Sequence, residues 1–149
     1  MFKGGFNFDK VRRNFERFKT DIPLVAANTA QNYFVKTFTD QGFDGGSWKE
    51  VNRRIPGTSA YKYPKTRDLG RRTSPILVRT GRLRRAVSNS IKTATWDRIQ
   101  LIVEAPGAKA LNEGDDSINL DPRPFMKQSP ILDKQIQAKI VKYMDKIWE

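Results

Sequence analysis

Apolar residues in the first forty positions recur at intervals of three and four. Phe8, Val11, Phe15, Phe18 and Ile22 fall on one helical face, opposite Lys10, Arg13 and Lys19. Asp9 stands where a first-turn acid or cap favours a helix N-terminus. Pro23 has no amide proton to give, so it either opens a second helix at its first turn or kinks a continuous one. Beyond it Ala26, Ala30, Tyr33, Phe34, Thr37 and Phe38 continue the pattern until Gly42. The spacing predicts a long, broken helical region over residues 1–43.

Residues 44–80 keep neither a helical nor a strand period. Glycines at 42, 45, 46, 57 and 70 and prolines at 56, 64 and 75 punctuate this part of the chain. Such a length without regular elements is uncommon in a compact domain and predicts an extended arm held by a partner, a neighbouring subunit being the natural candidate. After it, Thr80 is placed to cap a short helical turn running to Ala86. Val87 to Ala94 and Arg98 to Ala105 predict two strands closed into a hairpin by Trp96 and Asp97, with Ile99, Leu101 and Val103 alternating along the second. Arg123 to Met126, flanked by prolines that an edge tolerates, predicts a further edge strand. Ser129 and Pro130 supply a cap and first-turn proline for a last helix with Leu132, Ile136, Ile140, Met144 and Ile147 on one stripe. The order predicts an α+β fold in a single domain: helical region 1–43, basic arm 44–80, β-sheet region 81–127 and C-terminal helix 128–149.

Composition narrows the chemistry. A length of 149 residues suits one domain with one core. Cysteine and histidine are both absent. The first absence excludes disulfides, thiolate zinc sites, iron–sulfur clusters and cysteine nucleophiles. The second removes the commonest general base, the serine–histidine triad and nearly every catalytic zinc site. The glycine-rich run from Gly42 to Trp48 lacks the lysine–serine ending of a phosphate-binding loop. Glu113, Asp115 and Asp116 lack the spacing of a calcium loop and fit a solvated acidic turn. No catalytic, cofactor-binding or metal-binding residues stand out, and the expectation is a protein that is not an enzyme and carries no cofactor. With no apolar run long enough to span a bilayer and no apolar N-terminal segment of the secretory kind, the further expectation is a soluble intracellular protein without a membrane partner.

Charge is concentrated in one quarter of the chain. The formal net charge is +12, yet residues 1–48 and 86–149 are close to balanced. Between Lys49 and Arg85 twelve basic residues face only Glu50 and Asp68. Arg53, Arg54, Arg71, Arg72, Arg79, Arg82, Arg84 and Arg85 are therefore candidates for a protein interface or a DNA contact. Clustered arginines gain affinity for phosphate by counterion release, and Trp48, Tyr61 and Tyr63 offer stacking surfaces. Arginine is equally favoured at protein interfaces for its planar, multi-donor head, and no DNA-reading motif accompanies the charge. The interface reading is preferred; a small basic DNA- or RNA-binding protein using residues 49–85 is the alternative.

The same residues carry a resemblance. Trp48 after a long helix, then Ser74-Pro75-Ile76-Leu77 and Thr80-Gly81-Arg82-Leu83, then Asn112-Glu113-Gly114 and Arg123-Pro124-Phe125-Met126, resemble in order and spacing the motifs of bacteriophage virion morphogenesis proteins of the neck and tail-completion group. On the residues themselves, Thr80 caps a turn, Gly81 permits close backbone approach, Leu83 and Phe125 are core anchors, and Arg123, between near prolines, clamps a carboxylate or a loop. Pro75, Leu77 and Gly114 complete the set of structural motif positions. The resemblance implies a non-enzymatic virion protein at the head–tail junction, assembled in the bacterial host cytoplasm as a homo-oligomeric, hexameric ring around the DNA passage. Its implied partners are connector or portal-side proteins and tail proteins, with non-specific contact to genomic DNA. Ring closure needs two different patches per subunit, and the acidic turn at 113–116 is a complement in charge for the arginines at 79–85.

Overall fold

The side chain of Asn7 opens the first helix: its Oδ1 accepts the amide proton of Lys10 at 3.0 Å, giving a partner to an N–H that the helix leaves unsatisfied. Asp9 lies in the first turn. From there α1 runs Phe8–Asp40, 33 residues, as one continuous element with Pro23 inside it. The computed structural model describes residues 5–63 and 69–149, the backbone alone at Leu69 and Arg71. Pro23 removes one rung of the helical ladder without ending it, and the proline is buried. The helix stops where Gln41 takes a left-handed φ of 54°.

Short elements succeed it along the chain: β1 (Gly42–Phe43), β2 (Gly46–Ser47), a 3-10 turn at Asn52–Arg54, α2 (Ser59–Lys62), a 3-10 turn at Leu69–Arg72, and α3 (Arg82–Ser88). Then come β3 (Ile91–Thr95), β4 (Arg98–Ile102), α4 (Ala108–Glu113), a 3-10 turn at Asp116–Ile118 and α5 (Pro130–Asp145). The strands form two separate antiparallel pairs, β1 with β2 and β3 with β4, so the fold is α+β. The first pair is so tight that a Cβ on Gly42 would lie 2.0 Å from the carbonyl oxygen of Gly46. Only glycine fits there.

The chain divides into two compact units. One comprises Met1–Ala30, Ile91–Ile102 and Ser129–Glu149. In it Phe18 and Ile22 of α1 bury against Ile147, with Val11, Ile140 and Tyr143 packed around them. Each fully buried aliphatic or phenyl side chain contributes about 1.5–3 kcal/mol relative to exposure. Ser129 caps α5 by accepting from the amide of Leu132 at 3.0 Å, and Pro130 occupies its first turn. Trp96, in the turn between β3 and β4, meets the ring of Phe18 edge-on at 6.0 Å.

The other unit comprises Gln31–Ser90 and Val103–Gln128. Its core is aromatic: Phe38 meets Trp48 edge-on at 5.8 Å and Phe125 at 5.4 Å. Val87 of α3 is 1% exposed. Beside it Gln31 donates from Nε2 to the carbonyl of Ser88 at 2.8 Å and to the Ser90 hydroxyl at 2.9 Å.

Several expectations are corrected. Val87 and Ser88 belong to helix α3 rather than to a strand, because Gln31 satisfies the carbonyl that ends the helix. Strand β4 ends at Ile102, short of the expected Ala105. No strand forms at Arg123–Met126. The amides of Phe125 and Met126 both donate to Oδ1 of Asn112, at 2.9 and 3.0 Å, so a side chain takes the place of a strand partner. The stretch expected as an extended arm is instead folded into turns where it is described, and a side chain at the end of α1 ties it down. Gln41 accepts from the amide of Ile76 on Oε1 at 2.6 Å and donates from Nε2 to the Ile76 carbonyl at 3.1 Å.

Candidate functional site

Within the second unit the motif residues converge on one bracket. Trp48 is buried and donates from Nε1 to the carbonyl of Pro124 at 2.7 Å. Arg123 is 7% exposed and donates from Nε to the carbonyl of Lys49 at 3.0 Å and from Nη2 to that of Glu50 at 3.3 Å. It therefore clamps a loop through backbone oxygens and not through a carboxylate. Lys49 and Asp121 close the same junction with an ion pair at 2.9 Å. Asn112 completes its hold on the 125–126 segment by donating from Nδ2 to the carbonyl of Met126 at 3.0 Å. Phe125 is 2% exposed and packs on the ring of Phe38. Gly114 adopts φ 82°, and a Cβ there would stand 2.9 Å from the Leu120 carbonyl oxygen and 3.0 Å from the Pro122 nitrogen.

The Pro75 to Leu83 motif residues take a different role. Of these Leu77, Thr80, Arg82 and Leu83, with Arg53 and Arg79, line an open cleft of about 310 Å³. The exposed part of its lining, the rim, carries Arg79, Thr80, Arg82 and Pro106, and the half-buried part, the floor, carries the aliphatic Leu77, Leu83, Leu111 and Ala105, with Arg53 half-buried beside them. Leu83 is half-buried in this floor and not a core anchor. The expected cap at Thr80 is corrected: the N-cap of α3 is Gly81, with φ 67° and no side-chain cap bond, and Thr80 stands one residue before it, accepting from the amide of Arg82 at 3.3 Å. A Cβ on Gly81 would come within 2.9 Å of Nη1 of Arg85. Pro75 is exposed, and its carbonyl receives the amide of Val78 at 3.3 Å. Leu77 holds φ 60°, a left-handed conformation that a bulky side chain rarely adopts, so the cleft floor contains backbone strain.

The arginines named from sequence divide by what they touch. Arg53 donates to the carbonyls of Ser74 and Pro75, Arg54 pairs with Glu50 at 3.4 Å, and Arg72 donates to the Tyr61 carbonyl at 2.6 Å while lying over the Tyr61 ring. These three brace the chain around them. The side chain of Arg71 lies outside the described residues, as do Lys65 and Arg67. Arg79, Arg82, Arg84 and Arg85 are exposed. Among the described residues no carboxylate lies within ion-pair distance of Arg82, Arg84 or Arg85.

The acidic turn is built around Asp115, whose Oδ1 accepts from the amide of Ser117 at 3.0 Å and from its hydroxyl. Backbone bonds between Asp115 and Leu120 close the loop, leaving Asp116 and Glu113 exposed and Ile118 65% exposed. Among the described residues no group of three or more carboxylates is arranged to hold a metal ion. No described helix is long and apolar enough to cross a membrane. Chemically the cleft offers charge-assisted hydrogen bonding at its rim and apolar contact at its base, a combination suited to binding. The bracket was visible in sequence only as motif spacing; the cleft gave no periodic signal, since its lining comes from four separate segments. Comparison with protein-family models, curated proteins and solved structures finds no match for this chain.

Proposed function

We propose that this chain is a structural protein of a tailed-bacteriophage particle, of the neck or tail-completion type, acting by association and not by catalysis. It assembles in the host cytoplasm and takes its place in the virion as a ring, six-fold, around the DNA passage, between connector or portal-side proteins and tail proteins. The observation that carries this reading is the bracket of Trp48, Asn112, Arg123 and Phe125. Residues that carry the resemblance, separated by up to 76 positions, bind directly as Trp48 to Pro124 and Asn112 to Phe125, and Arg123 holds the backbone next to Trp48. With the bracket occupied in holding the fold, the exposed Arg82, Arg84 and Arg85 of α3 remain for contacts with other macromolecules.

The test joins light scattering with a gel shift. Association to a ring of defined mass in moderate salt, with weak binding of duplex DNA, is the expected result. A monomer at every concentration that shifts DNA with a steep salt dependence overturns it in favour of a nucleic-acid-binding protein.

A further inference from the structure

The cleft is chemically selective. Phosphate backbones are met by basic rims, but single-stranded bases are met by aromatic stacking platforms, and this floor is aliphatic throughout. Arginines around leucines suit a segment that carries carboxylates beside an aliphatic side chain. The chain itself presents such a segment. In the loop of residues 113–118, Glu113 and Asp116 are exposed and Ile118 projects with 65% of its surface in solvent, while Asp115 is spent on holding the turn. The loop is preformed, so little ordering opposes its docking.

We propose that the arginine-rimmed cleft of one copy receives the 113–118 loop of a second copy, Glu113 and Asp116 meeting Arg79 and Arg82 while Ile118 enters the leucine floor. Because every copy carries both halves, the contact is heterologous and can propagate from copy to copy until it closes. The inference rests on the association reading and supplies its interface.

The test uses the full chain in three charge variants: Arg79→Glu with Arg82→Glu, Glu113→Lys with Asp116→Lys, and all four together. Arg53 and Asp115 are left intact, and each variant is first checked to melt as the parent does. Light scattering in moderate salt is expected to show association weakened at least tenfold in each double variant and regained in the quadruple one. The uncharged variant Ile118→Ser, at an exposed position, should weaken association as well. Unchanged association in both double variants overturns the proposal, as does failure of the quadruple variant to regain it while all variants melt like the parent. Loss of DNA binding in Arg79→Glu/Arg82→Glu with association intact would make the cleft a phosphate site and overturn it too. If the parent is itself monomeric, the ring reading fails separately. A synthetic peptide of residues 113–120 then decides the cleft: saturable binding to the parent and none to Arg79→Glu/Arg82→Glu sustains it, and no binding to the parent ends it.

Discussion

Arg123 donates from Nε to the carbonyl oxygen of Lys49 at 3.0 Å, joining positions 74 residues apart. A buried guanidinium is costly without partners, and here backbone carbonyls supply them. The bond thereby fixes the point at which the basic stretch leaves the core. Replacing Arg123 by Ala should lower unfolding free energy by about 1.5–3 kcal/mol, the usual worth of hydrogen bonds to a charged group. Arg123→Lys keeps the charge but not the forked donor, and should restore less than half of that loss. Urea denaturation measures both, and an Arg123→Ala protein as stable as the parent would show that the bracket does not hold the fold.

Asn112 offers an independent check on the same bracket. Its Oδ1 serves two backbone amides and its Nδ2 one carbonyl. Asn112→Ala strands all three groups, and the expected loss is about 1–3 kcal/mol. Faster amide exchange confined first to Phe125 and Met126 would locate the loss; uniform exchange would place it elsewhere.

These two residues also mark what the sequence makes legible. Helix α1 could be read because buried side chains repeat every three or four residues, from Phe18 and Ile22 to Phe34 and Phe38, and α5 because the buried Leu132 is followed at the same spacing by the half-buried Ile136 and Ile140. The Ser129–Pro130 start was readable since its cap is local. The hairpin of β3 and β4 was readable from alternation, with Trp96 at its turn. Asn112 and Arg123 work through single side-chain bonds to distant backbone, which leave no period. An edge strand was therefore expected where Asn112 does the holding, and an extended arm where Arg123, Trp48 and Gln41 tie the chain down. Val87 was included in the strand expected over Val87 to Ala94, but it lies in α3, where Gln31 bonds the carbonyl of the next residue.

Gly114 and Gly57 separate two costs that glycine replacement usually mixes. Both have positive φ, 82° and 91°. A Cβ on Gly57 meets nothing within 4 Å, whereas on Gly114 it meets backbone at 2.9 Å. Gly57→Ala should cost about 1–2 kcal/mol from backbone conformation alone. Gly114→Ala should cost about 3 kcal/mol or more, since the loop at Leu120 and Pro122 must also move. Equal thermal shifts in the two variants would contradict the close approach.

Ser129 tests the other unit by itself. The residue is 1% exposed and its Oγ accepts the Leu132 amide. Ser129→Ala should cost about 1 kcal/mol, the worth of an N-cap. The loss should be read in α5 first, as lowered exchange protection at Leu132 and in the next turn of the helix.

The arginines of α3 give a prediction with two opposite signs. Arg82 and Arg85 lie three apart on one helical face, and among the described residues neither has a carboxylate within ion-pair distance. Like charges at that spacing destabilise a helix by about 0.2–0.5 kcal/mol. An external anion held between the two guanidinium groups would offset that repulsion. Arg85→Gln should therefore leave the isolated protein unchanged or slightly more stable while weakening its association with copies of itself, and the double change Arg84→Glu with Arg85→Glu should weaken it further. Melting temperature and light scattering, taken on the same samples, must move in opposite senses or only the second must move. A variant that melts lower yet associates as the parent does would make Arg85 part of the fold and not of the contact.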